Sequence, residues 1–148
     1  MSAHVCRAAV GIALALAATV AFANKPGAPA VSLKLAEAQL MLEERGAVCF
    51  MKGIGPDGKE RAFSLDIPGP CAFHKDKRGA IRTIRHGKYE YALVESAKQV
   101  NVAPSECETH LRSIRAAGRK FQISQHKDKV ASCPPFQWDR LLFTALFD

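Results

Sequence analysis

Alternation of apolar and polar positions predicts two β-hairpins between residues 47 and 95. In the first, Ala47–Ile54 and Lys59–Ile67 flank Pro56-Asp57-Gly58, whose residues suit a type I turn. Phe63, Leu65 and Ile67 alternate with Ser64 and Asp66, and a period of two puts one set on a single strand face. The second pairs Ala80–Arg85 with Lys88–Glu95 through His86-Gly87, a loop whose residues both accept positive φ. That register sets Ile84 opposite Tyr89, Arg82 opposite Tyr91 and Ala80 opposite Leu93. Thr83 and Glu90 then pair on the other face, beside Arg85 and Lys88, so one face reads as core and the other as polar.

Elsewhere the pattern reads as helical. Ser32–Arg45 is rich in Leu, Ala, Glu and Gln and is followed by Gly46, where a helix C-cap would sit. Val31, Leu33 and Leu35 also fit a short strand, but composition favours a helix. Pro104-Ser105 opens a second helix, with Ser105 and Glu108 spaced as a capping box. Its inner stripe is Cys107, Leu111, Ile114 and Gly118, and its outer stripe Glu108, Arg112, Arg115 and Arg119. Phe121–Ser124 adds a strand. A third helix after Pro134-Pro135 carries Trp138, Leu141, Leu142, Phe143, Ala145, Leu146 and Phe147, with a narrow polar strip of Gln137, Arg140, Thr144 and Asp148. The expected fold class is α+β, an antiparallel sheet of four to five strands with about three helices.

The start of the chain changes the context of that domain. Arg7 precedes the apolar run Val10–Val20, and Ala21-Phe22-Ala23 supplies small residues for a signal peptidase. Residues 1–23 are therefore expected to be a signal peptide, 24–30 (with Pro26, Gly27 and Pro29) a flexible leader, and 31–148 a single domain. The apolar run is short for a membrane span, so no transmembrane segment is expected in the mature chain. Cys6 lies ahead of the run rather than at its cleavage end, which argues against a lipid anchor. The expected compartment is oxidising: the periplasm or the cell exterior. Cys49, Cys71, Cys107 and Cys133 remain after cleavage, and four cysteines allow three pairings. Cys49–Cys71 with Cys107–Cys133 is preferred because each pair flanks a compact supersecondary unit. No Cys-x-x-Cys spacing favours a redox or zinc site.

Without Arg7 the chain has 20 basic residues against 14 acidic, a net charge of +6. That excess favours acidic partners: nucleic acid, anionic lipid, teichoic acid or an acidic protein face. The basic residues include a repeated tetrapeptide, His74-Lys75-Asp76-Lys77 and His126-Lys127-Asp128-Lys129. Lys75, Lys77, Arg78, Lys127 and Lys129 are the candidate binding residues. Neither copy has a second histidine at ligand spacing and the lysines repel cations, so no metal or cofactor is expected. The stripe Arg112, Arg115, Arg119 reads as a solvated face rather than a nucleic-acid reader, since few aromatics accompany it.

Catalytic motifs are sparse. The chain contains no Gly-x-Ser-x-Gly elbow, phosphate-cradling glycine loop or His-Glu-x-x-His. Glu90 with Arg82 or Arg85 and a histidine such as His86 is the one general acid–base set to weigh. Tyr89-Glu90-Tyr91 superficially resembles the glutamate-bearing strand of small secreted microbial ribonucleases, but a histidine on a closing aromatic strand is absent. The leading expectation is an exported, non-catalytic macromolecule-binding protein, of inhibitor or immunity type, acting against an exported hydrolase or toxin. Gly55–Lys59, His74–Arg78 or His126–Lys129 would enter that partner. A secreted nuclease using Glu90 and an envelope-assembly protein using the last helix are the alternatives. Partner identity and oligomeric state are left open.

Overall fold

Strands, not helices, carry the architecture. The computed structural model describes residues 31–100 and 106–148, so the expected signal peptide, the leader and Pro104-Ser105 lie outside the described residues. The first sheet is a meander of β1 (Val31–Leu35), β2 (Ala38–Arg45), β3 (Val48–Ile54) and β4 (Glu60–Pro68), each antiparallel to the next. The second sheet contains β5 (Ala72–Phe73), β6 (Thr83–His86), β7 (Tyr89–Gln99), β8 (Cys107–Ala117) and β9 (Lys120–Val130). β7, β8 and β9 pair in sequence order, and β5 and β6 share the other edge of β7. One helix, α1 (Arg140–Ala145), follows.

The α+β expectation with about three helices is therefore overturned: the described protein is mostly β, with two antiparallel sheets and one six-residue helix. Ser32–Arg45 is the hairpin β1–β2. Leu35, Ala38, Leu40 and Leu42 are buried while Ser32, Lys34, Gln39 and Met41 are exposed, a period of two that outweighs the helix-forming composition. The expected second helix is β8, and Gly118 opens the β8–β9 loop at φ +58° instead of ending a helix. Helical spacing misleads there because β8 is covered on both faces. Thr109, Leu111 and Ser113 lie under the C-terminal segment, and Ile114 and Ala116 under the first sheet. A strand buried on both sides loses its clean alternation.

Two hydrophobic clusters divide the molecule into three layers. Leu35, Leu40, Met51, Leu65 and Ile67 of the first sheet meet Phe73, Val94, Ile114 and Phe121 of the second. Gly53 lets those sheets approach: a Cβ there would sit 2.9 Å from Leu40 Cδ2 and 3.0 Å from Phe121 Cε1. On the far side of the second sheet, Tyr91, Leu93 and Leu111 pack under Trp138, Phe143 and Leu146. Phe143 is fully buried, and burial of such a side chain contributes about 1.5–3 kcal/mol. The expected last helix is thus core on its Phe143 and Leu146 side, while Leu141 is 72% exposed. The helix is shortened to one turn and a half, with Asp139 accepting from the Leu141 amide as its cap.

Both preferred disulfides are present. Cys49–Cys71 ties β3 to the chain entering the second sheet, and Cys107–Cys133 ties β8 to the C-terminal layer. Closing loops of 22 and 26 positions contributes roughly 3 kcal/mol each on a chain-entropy account. The hairpin β3–β4 follows the expected turn, closed by the Gly58 amide donating to Gly55 O. In β6–β7 the loop is Gly87-Lys88, and Ile84 lies opposite Tyr91 rather than Tyr89. The slip is by two residues, so every side chain keeps its face. The face expected to be polar nonetheless carries Ala92 and Val94 into the inter-sheet core.

Candidate functional site

Between β5 and β6 the edge of the second sheet breaks out into a loop, residues 74–82, and this loop builds a hollow lined mostly by charged side chains. Its stem is formed by Lys75 bridging to Ile81, with the Arg82 amide donating to His74 O at 2.9 Å. Its tip is Asp76-Lys77-Arg78-Gly79. Asp76 Oδ1 accepts from the amides of Arg78 at 2.8 Å and Ala80 at 3.0 Å, so one carboxylate organises the whole turn. Those two amides hold the Asp76 carboxyl below its usual range, with a smaller contribution from the Arg78 charge.

The loop is rooted in a buried polar cluster. His74 is 1% exposed, and its Nδ1 lies 3.2 Å from Glu95 Oε2. Trp138 Nε1 donates to the same oxygen at 2.8 Å. The Phe143 ring meets the imidazole edge-on at 6.1 Å. Arg82, at the loop's end, stacks its guanidinium over Phe143 at 5.2 Å and donates from Nη1 to Trp138 O at 2.6 Å. Gln137 Nε2 donates to Lys75 O at 3.3 Å. The loop is therefore stapled to the C-terminal layer along its length.

Lys77, Arg78, Arg82 and Arg140 surround a basin of about 470 Å³ between this loop and the start of α1. Arg140 Nη2 donates to Arg85 O at 2.7 Å, which holds it beside the basin. The carboxylates at the rim are committed to the backbone, Asp76 to its turn and Asp139 to the helix cap. Lys75 and Lys77 form no ion pair among the described residues, whereas Arg78 Nε lies 3.6 Å from Asp76 Oδ2. An arrangement of this kind binds anions through charge and directed N–H groups.

The remaining candidate residues fall elsewhere. Lys127 and Lys129 lie on β9, the outer edge of the second sheet. Lys127 Nζ bonds Asp66 of β4, and Lys129 Nζ bonds Glu108 at 2.8 Å. Both carboxyls are held below their usual range, chiefly by those lysine hydrogen bonds. Arg112 sits close by. Burial lowers its pKa, and Asp66 pulls it back up. Glu90 is engaged on both oxygens: Oε1 accepts from Thr83 Oγ1 at 3.0 Å and Oε2 from the Ala36 amide at 2.7 Å. Ala36 has φ +52° in the β1–β2 loop, a conformation that costs an L-residue about 1–2 kcal/mol. Glu90 therefore anchors a strained turn. It projects toward the first sheet, while Arg82 projects toward the C-terminal layer and His86 is exposed at the end of β6. The three are not brought together. Among the described residues, no group of three or more His, Cys, Asp or Glu could hold a metal ion, and no helix is long and apolar enough to cross a membrane.

Sequence reading did not find Glu95, Trp138 and Arg140. Arg82 and Trp138 are 56 positions apart, and only the fold of the C-terminal segment over β7 joins them. No family model, no curated protein and no solved structure matches the chain.

Proposed function

We propose that this is an exported, non-catalytic binding protein that docks on an acidic face of a partner protein through the 74–82 loop and its basin. The observation that carries this reading is a set of exposed cations, Lys75 on the stem and Lys77 and Arg78 at the tip, on a loop whose shape is fixed from within by Asp76 and from below by the His74–Glu95–Trp138 cluster. A loop ordered before binding loses little further entropy when it enters a cleft. Two disulfides are compatible with export, and the signal-peptide pattern of residues 1–23 supports a periplasmic or secreted location. An inhibitor or immunity-type role, with the lysines pairing to acidic residues of an exported hydrolase or toxin, is the most concrete form of this reading. Residues 126–129 contribute less, because Lys127 and Lys129 are already ion-paired.

The test is affinity capture from the envelope fraction of the native cells using the oxidised protein. The expected result is one acidic protein recovered in stoichiometric amount, released by salt. A variant with Lys75→Glu, Lys77→Glu and Arg78→Glu should lose it while keeping its denaturation midpoint. Capture unaffected by that variant, or recovery of nucleic acid and lipid alone, would overturn the proposal.

A further inference from the structure

At the opposite end of β8 from the disulfide, one arginine is held in a way the docking role does not require. The Arg115 guanidinium lies between two rings, 4.4 Å from the Tyr89 centroid and 4.2 Å from the Phe147 centroid. Its Nε donates to Gln122 Oε1 at 2.8 Å. Its two terminal nitrogens donate to no acceptor among the described residues, and it has no acidic partner there. The stacked rings and the glutamine thus fix the plane of the group and leave the fork end open.

Arg115 lines a cleft of about 340 Å³, within the range of small-molecule sites. Phe63, Phe121, Ile123 and Phe147 form its apolar wall, and Gln122 and Gln125 add polar groups. Phe121, buried in the inter-sheet core, backs Phe63 edge-to-face at 5.3 Å, so the half-buried Phe63, Ile123 and Phe147 present the accessible part of that wall. A second hollow, of about 260 Å³, is also lined by Arg115 and shares Pro56 and Gln122 with the first. No acidic residue lines either one. Of the two lysines there, Lys120 is committed to Pro56 O at 3.0 Å and Lys88 lies over Tyr89 at 5.3 Å.

We propose that this cleft binds a small carboxylate with an aromatic body, its two oxygens on the Arg115 fork and its ring against Phe63 and Ile123. A bare inorganic anion would leave the apolar wall unused, and a neutral ring would leave the fork unpaired. A carboxylate matches the planar fork with two parallel hydrogen bonds. This site is separate from the 74–82 loop and does not depend on the docking proposal.

The test is a titration of the isotope-labelled, oxidised protein followed by NMR, with phenylacetate as probe and 2-phenylethanol and acetate as its neutral and ring-less counterparts. The expected result is saturable binding of phenylacetate in the millimolar range or tighter, with shifts at the Arg115 side chain, Gln122 and Phe121. Both counterparts should bind at least about tenfold more weakly. Arg115→Gln should remove the preference for phenylacetate over 2-phenylethanol. Gln125→Trp, at an exposed rim position, should block the cleft without disturbing the stacked arginine, so the proposal stays testable if Arg115→Gln fails to fold. Absence of saturable binding, equal binding of the three probes, or unchanged binding in Gln125→Trp would overturn it.

Discussion

The tetrapeptide at 74–77 and its copy at 126–129 have the same four residues in opposite arrangements. In the first copy the histidine is buried against Glu95 and the lysines reach solvent; in the second the histidine is exposed and both lysines are ion-paired. The aspartates differ too. Asp76 accepts two amides across its turn, while Asp128 accepts the amide of Lys129 beside it. The cause is position in the sheet. The first copy leaves β5 where the chain is covered by the C-terminal layer, so its histidine is drawn inward and its loop turns outward. The second lies along β9, the outer strand of its sheet, where Lys127 fastens it to β4 and Lys129 to β8. Local sequence supplies the groups, and the neighbouring layer decides which of them remain available to a partner.

The same substitution in both copies tests that difference most directly. His74→Ala should cost about 2–4 kcal/mol, since it opens a cavity and strips Glu95 of a buried partner. His126→Ala should stay within about 0.5 kcal/mol. Urea midpoints measure both, and equal losses would break the comparison. Charge reversal ranks next. Lys75→Glu with Lys77→Glu should weaken capture of the partner by about tenfold or more, whereas Lys127→Glu with Lys129→Glu should leave capture unchanged and lower the denaturation midpoint.

The smallest effect is on pH dependence. Asp66 and Glu108 have folded pKa values below their unfolded ones, so the folded state favours their ionised forms. Their contribution to stability is fully present above the ordinary carboxylate pKa and is lost as pH falls through the lowered folded values. Midpoints measured against pH should therefore drop on the acid side. Lys127→Met with Lys129→Met should flatten that drop, as should high salt. Lys75→Met with Lys77→Met should leave it in place, because Asp76 is held by backbone amides.

How far the sequence could be read follows the same division. The β3–β4 hairpin was legible because Phe63, Leu65 and Ile67 alternate beside a Pro-Asp-Gly turn, and the disulfide pairing because each bridge closes a local unit. The β1–β2 hairpin was not, because Leu, Ala, Glu and Gln are good helix formers and its two-residue loop interrupts the alternation at Ala36-Glu37. β8 was hidden by burial on both faces, which brings the small polar residues Thr109 and Ser113 into the interior. At the site, the exposed cations of the first tetrapeptide were legible. The Glu95–Trp138 contact that roots them and the Arg140 beside them were not, since contacts between distant segments leave no local pattern. In the sequence Arg115 reads as one of three solvated arginines, because their spacing suits a helix face and the rings of Tyr89 and Phe147 come from distant segments.

The three-layer order also fixes a sequence of events as the chain emerges N-terminus first. Both sheets are complete by Val130, before Trp138, Phe143 and Leu146 have appeared to cover Tyr91, Leu93 and Leu111. Until that segment arrives, Tyr91, Leu93 and Leu111 have no cover. A product terminated before Trp138 would stay at that stage, adhesive and open to aggregation.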